Sequence, residues 1–134
     1  MSIEATAVVD RLAGAWERQD WPGVAELYAE QGFIYDDFAS HEHYDNRKDL
    51  LEICLAEASK IPELSFERRG ISVGDGVATM EWVMRGLDPW CDNKPVEMLG
   101  VDVLEIRDGV IVRDTKYYSN VFGQCAPRGE ATEA

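Results

Sequence analysis

Positive charge is scarce in this sequence: 13 Lys and Arg stand against 26 Asp and Glu in 134 residues, a formal net charge of −13. A chain that acidic lacks the basic patch that phosphate backbones and anionic lipid surfaces require, so neither a nucleic-acid partner nor a membrane partner is expected. Long apolar runs are missing, so no membrane span is expected. The N-terminal MSIEATAVVDRL has no basic stretch followed by an apolar one, so no signal peptide is read there. Cysteine is sparse as well. Three residues, Cys54, Cys91 and Cys125, give an odd number and no C-x-x-C spacing, which suggests neither a disulfide framework nor a zinc ribbon. Free thiols in a reducing cytoplasm are the expectation. The sequence also has no G-x-S-x-G, no phosphate-binding glycine loop, no dinucleotide fingerprint and no H-E-x-x-H, which excludes the serine-hydrolase, nucleotide-dependent and zincin classes.

What is present is 46% apolar residues in a length suited to one domain. The expected domain covers residues 1–123, with 124–134 a small, polar, flexible tail. Ser2 is a plausible N-cap, and Ala5, Val8, Val9, Leu12, Ala15 and Trp16 recur at helical spacing. Asp20 and Pro22 open a second helix, with Val24, Leu27 and Tyr28 as its buried face and Gly32 as its stop. Phe33-Ile34-Tyr35 reads as a short strand, and residues 40–45 as a polar loop. Asn46 caps a third helix with Leu50, Leu51, Cys54, Leu55 and Ala58 on one face. Segments 64–73, 77–87, 96–107 and 110–119 are rich in β-formers, with turn signals at Gly74-Asp75-Gly76 and Asp108-Gly109 and a longer loop at Asp92–Pro95. Helices first and meandering strands afterwards predict an α+β domain.

Strand alternation then separates the faces. In 96–107, Val96, Met98, Gly100, Asp102, Leu104 and Ile106 share the face that should meet the helices. Asp102 is thus an acid between apolar neighbours. Carboxylates are seldom buried unless paired or working; the bland alternative is a bulge at Gly100 that turns it outward. In 77–87, Ala78, Met80, Trp82 and Met84 form the lining set. In 110–119, alternation alone does not choose between Val112, Asp114, Lys116, Tyr118 and the intervening residues. An outer set of Val83, Leu99, Val101 and Val103 suggests a surface that a partner covers.

The helical opening VVDRLAGAWERQDWPGVAELYAEQGFIYDD and the late hairpin GVDVLEIRDGVIVRDTKYYS resemble the SnoaL-like polyketide-cyclase and ketosteroid-isomerase branch of the nuclear-transport-factor-2-like superfamily. The resemblance spans about residues 5–120. It implies a cone-shaped, cystatin-like α+β roll, with three N-terminal helices on a curved antiparallel sheet and a pocket between them. By this resemblance Asp36 takes the place of the general base and Asp102 that of the protonated acid in an oxyanion hole. Val112, Asp114, Lys116 and Tyr118 turn inward. Leu12 stands where the isomerases have an oxyanion-hole tyrosine, and Trp16 stands near a helix-1 tyrosine of the dehydratases.

The function expected is a cofactor-independent lyase or isomerase acting on an apolar, aromatic or polycyclic small molecule by acid–base catalysis. Asp36 is the base, Asp102 the acid or donor, and Lys116 and Tyr118 stabilise oxyanion charge. His41 or His43 is a second proton carrier, and Asp114 completes the set. Trp16, Tyr35, Met80, Trp82, Met84 and Met98 form the walls. No cofactor or metal is called for, and a homodimer or homotrimer is expected by resemblance. Epoxide-hydrolase-type water addition and a non-catalytic binding or assembly module are the alternatives.

Overall fold

The computed structural model describes residues 3–125. Ser2, expected as an N-cap, and all of the expected tail except Gln124 and Cys125 lie outside these residues. Helix α1 (Ile3–Arg18) buries Ala5, Val8, Val9, Leu12 and Ala15, the apolar stripe read from the sequence. The side chain of Asp20 accepts the Gly23 amide and caps α2 (Trp21–Glu26). The side chain of Asn46 accepts the Asp49 amide and caps α3 (Arg47–Lys60). These caps satisfy donors that have no partner inside the helix. In α3 only Leu50 and Cys54 are buried, and Leu55 is exposed.

Six strands form one sheet: β1 (Gln31–Asp37), β2 (Glu42–Asn46), β3 (Ser65–Val73), β4 (Val77–Asp88), β5 (Lys94–Arg107) and β6 (Val110–Tyr118), in the order β2-β1-β6-β5-β4-β3. All neighbours are antiparallel except β1 and β6, which run parallel. The helices pack on one face of this curved sheet, as expected. Differences from the sequence reading are local. Residues 42–46 pair with β1 as a strand and not as a loop. Gly32 does not stop α2, which ends at Glu26; it lies within β1 at a register shift, with φ +78°.

Another irregularity, between Glu105 and Ile106, pairs Ile111 with Ile106 and Arg113 with Glu105. Val112 is the extra residue, so Ile111 is fully buried in its place. Beyond it the alternation resumes, and Asp114 and Lys116 face the helices. Val83, expected on the outer face among exposed residues, is buried, whereas Leu99 is 53% exposed. No helix among the described residues is long and apolar enough to cross a membrane.

The cysteine reading needs correction. Cys91 and Cys125 are joined by a disulfide with Cα atoms 5.1 Å apart, which leaves Cys54 as the free thiol. The spacing gave no hint of this, because the pairing depends on the chain returning to the β4–β5 loop after β6. The cysteines therefore give no ground for assigning a reducing compartment.

Candidate active site

A cavity of about 440 Å³ opens between the helices and the concave side of the sheet. Its walls include Trp16, Tyr35, Met80, Trp82, Met84 and Met98, the six residues read as wall positions from periodicity and resemblance. Trp16, Trp21 and Phe66 make an edge-to-face cluster at one side, with ring centres 4.8–5.9 Å apart. Arg68 on β3 ties that side to α1. It donates to both oxygens of Glu17 and to Asp10. The bond from Arg68 holds the Glu17 carboxyl below its ordinary range.

The charged floor lies on β5 and β6. Asp102 and Lys116 are register partners, and the Lys116 Nζ donates to both oxygens of Asp102 at 2.9 and 3.0 Å. The Trp82 Nε1 donates to Asp102 Oδ1 at 2.7 Å. Asp102 is 0% exposed, so the inward orientation read from alternation holds. However, Asp102 is not part of the cavity lining; Lys116 and Trp82 cover it, and Lys116 meets the cavity. The ammonium stands 4.8 Å from the Trp16 ring centre and 5.1 Å from that of Trp82, a cation–π environment. Burial works against the Lys116 charge, but the neighbouring carboxylates outweigh it and raise its pKa above the ordinary value. The lysine is therefore cationic at neutral pH.

Asp114, also 0% exposed, lies deeper still and accepts the Tyr28 hydroxyl at Oδ2, 2.5 Å away. Burial and then repulsion from Asp102 push its pKa well up, and it retains its proton. Its Oδ1 has no hydrogen-bond partner among the described residues. Asp114 is thus a buried support for the Asp102–Lys116 pair and does not line the cavity.

Asp37, and not Asp36, lines the cavity. The reason is the strand period of two: Phe33 and Tyr35 are buried, so Asp37 follows them inward and Asp36 turns away. Asp37 lies beside Lys116 in the parallel register of β1 and β6. Its Oδ2 accepts the Tyr118 hydroxyl at 2.9 Å, and its Oδ1 accepts the amides of Ala39 and Ser40 at 3.0 Å. A carboxylate offers about four acceptor positions, so these three bonds leave capacity for a ligand proton. Burial and the Asp37 charge push the Tyr118 pKa upward, which keeps the phenol protonated.

Asp36 instead pairs with His43 at 2.9 Å, outside the cavity; their side chains are 28% and 57% exposed. His41 is exposed and sits in a turn with φ +64°. Neither histidine joins the lining, so neither contacts a bound ligand in this geometry. Among the described residues no group of three His, Cys, Asp or Glu side chains could hold a metal ion.

Sequence reasoning did not find Asp88, which is fully buried at the end of β4, nor Trp90, Asn120, Phe122 and Gly123, which close one side of the cavity. The Asp88-Pro89 dipeptide is a turn signal that could have drawn attention to this corner. Cys54 also lines the cavity, and burial pushes its thiol up to about 12, so it is an unreactive wall group.

A curved six-stranded sheet closed by helices around one largely apolar cavity, with Asp37 on β1 and Lys116 and Tyr118 on β6 among its lining groups, defines an α+β roll of the nuclear-transport-factor-2-like kind. The chain belongs to the SnoaL-like domain family, whose model matches residues 9–114. It superposes on a protein of ketosteroid isomerase-like fold from Catenulispora acidiphila, in complex with trimethylamine, with a TM-score of 0.73 and 21% identity over 84% of this chain and 85% of that one. IdmH of Streptomyces antibioticus, a candidate polyketide cyclase, gives a TM-score of 0.74 and 18% identity over 87% and 92%. An NTF-2 like protein of unknown function from Burkholderia xenovorans gives 0.70 and 19% over 96% and 91%. A search of curated proteins finds no match.

Proposed function

We propose that this protein is a cofactor-independent lyase or isomerase that abstracts a proton next to a carbonyl of an apolar, aromatic or polycyclic small molecule. The observation that carries this reading is the Asp37–Tyr118 pair, a carboxylate bonded to a protonated phenol inside an apolar cavity whose floor presents the Lys116 ammonium.

The chemistry follows from what each group can give and take. Asp37 accepts the proton from the carbon acid. The electron pair of the broken C–H bond moves onto the carbonyl oxygen. Lys116 has three N–H donors, and its contacts with Asp102 leave one for that oxyanion. Returning the proton to another carbon isomerises the substrate; expelling a leaving group from the intermediate eliminates it. Asp102, held by Trp82 and Lys116, keeps the ammonium fixed and charged as a positioning residue. Apolar walls strengthen these interactions by excluding water.

The test uses 2-naphthol, a planar phenol that resembles the enolate of a bicyclic ketone. A crystal structure of the complex is expected to show its oxygen within hydrogen-bond reach of Lys116 or Tyr118 and its ring against Trp82. Binding is expected to be at least about tenfold tighter than that of naphthalene, one good hydrogen bond to a charged group. Equal affinity for naphthalene, or a ligand seated outside the cavity, would refute the assignment.

A further inference from the structure

The chain beyond β6 crosses back over the β4–β5 connection and forms part of the cavity wall. Asp88 organises the crossing. Its backbone carbonyl accepts the amides of Cys91 and Asn93, which folds the connection into a tight loop. Its Oδ1 accepts the Trp90 amide at 3.0 Å, and its Oδ2 accepts the Gly123 amide at 2.8 Å. One buried carboxylate therefore binds both segments. The Asn120 side chain accepts the Phe122 amide at 3.0 Å and rounds the turn. The Phe122 ring then meets Trp90 edge to face, with centres 6.4 Å apart. Trp90, Asn120, Phe122 and Gly123 all line the cavity.

These tethers are modest. Trp90 is an exposed large aromatic, and Asn120, Gly123, Gln124 and Cys125 are exposed as well. Across to the β4–β5 connection, one part-buried hydrogen bond to Asp88 and one ring contact are the non-covalent ties described above, each individually modest. The covalent tie is the disulfide between Cys91 and Cys125, which are 34 residues apart in sequence. A cross-link of this kind acts mainly by restricting the freedom of the loosened chain.

We propose that the Cys91–Cys125 disulfide is a thiol-sensitive latch, and that its reduction frees residues 119–125 and opens that side of the cavity. The proposal rests on the reading that this cavity is the working site and adds a means of regulating it. The reductant is a dithiol. One of its thiolates attacks the sulfur of the exposed Cys125, and Cys91 leaves as a thiolate and takes up a proton. The second thiol of the reductant closes onto the first sulfur, and Cys125 departs and is protonated in turn. The protein disulfide gains two electrons, and the dithiol becomes a cyclic disulfide. Cys54 takes no part, because its thiol is buried away from the exchange.

The experiment uses the full chain purified without reductant. Thiol titration in denaturant is expected to count one thiol before dithiothreitol and three after it. Amide exchange in residues 119–125 and acrylamide quenching of tryptophan are then measured in both states. Exchange should accelerate about tenfold or more on reduction, with increased quenching, while the far-ultraviolet circular dichroism stays constant. The Cys91→Ser and Cys125→Ser variants should resemble the reduced protein with or without dithiothreitol, and Cys54→Ser should keep the response. Three thiols in the untreated protein, or equal exchange in the two states, overturns the latch. These readouts need no turnover, so a failure of the catalytic reading leaves them interpretable, and their failure leaves that reading in place.

Discussion

The Trp82 indole lies across Gly100, its register partner on β5, and reaches past it to donate to Asp102. A Cβ at position 100 would overlap the indole ring itself. The absence of a side chain at Gly100 is therefore what lets a tryptophan cover the buried carboxylate. Gly100→Ala should displace the ring and weaken its bond to Asp102, at a cost of about 1–3 kcal/mol. Urea unfolding measures the loss, and tryptophan emission should shift to longer wavelength as the indole meets water.

Lys116 and Asp102 form a buried ion pair, so truncating one partner leaves the other charge uncompensated. Lys116→Met should destabilise the protein by about 3–5 kcal/mol. Asp102→Leu combined with Lys116→Met should cost less than the sum of the single changes, because no charge is stranded. A double-mutant cycle by chemical denaturation gives the coupling. Additive effects would show that the pair does not act as a unit.

The raised pKa of Asp114 makes stability depend on pH. The folded state keeps a proton that the unfolded chain releases above about pH 4, where an unperturbed aspartate titrates. Between the unfolded and folded pKa values the native state binds more protons, so this residue's contribution to stability falls as pH rises. Asp114→Asn copies the protonated form and removes the slope. The stability of the variant relative to the parent should therefore increase as pH rises above about 4. Urea titrations at several pH values check this, and parallel curves for the two proteins would contradict it.

The sequence was most readable where local chemistry and periodicity point the same way. Asp20 and Asn46 cap helices because a short side-chain acceptor precedes an apolar stripe. The inward set Met98, Gly100, Asp102 and Leu104 follows from alternation in a strand buried on one face. In 110–119 alternation made no choice and the resemblance turned Val112 inward; the bulge there exchanges Val112 with Ile111, and no local signal marks it. The choice between Asp36 and Asp37 was decidable in principle, since the apolar phase of Phe33 and Tyr35 continues to Asp37; resemblance in place of phase gave the other residue. The Cys91–Cys125 bond and the Asp88–Gly123 contact join residues more than thirty positions apart. Such pairings depend on the path of the chain, which composition and spacing do not encode.

The most direct measurement is the exchange of the α-protons of 2-tetralone in deuterium oxide, followed by proton magnetic resonance. The wild-type protein should accelerate exchange over buffer, and Asp37→Asn should lower that rate by about a hundredfold or more, the usual size of a lost general base. Asp36→Asn should remain within about twofold of wild type, because Asp36 faces away from the cavity. Full activity in Asp37→Asn, or a collapse of activity in Asp36→Asn, would contradict proton abstraction by the inward-facing carboxylate.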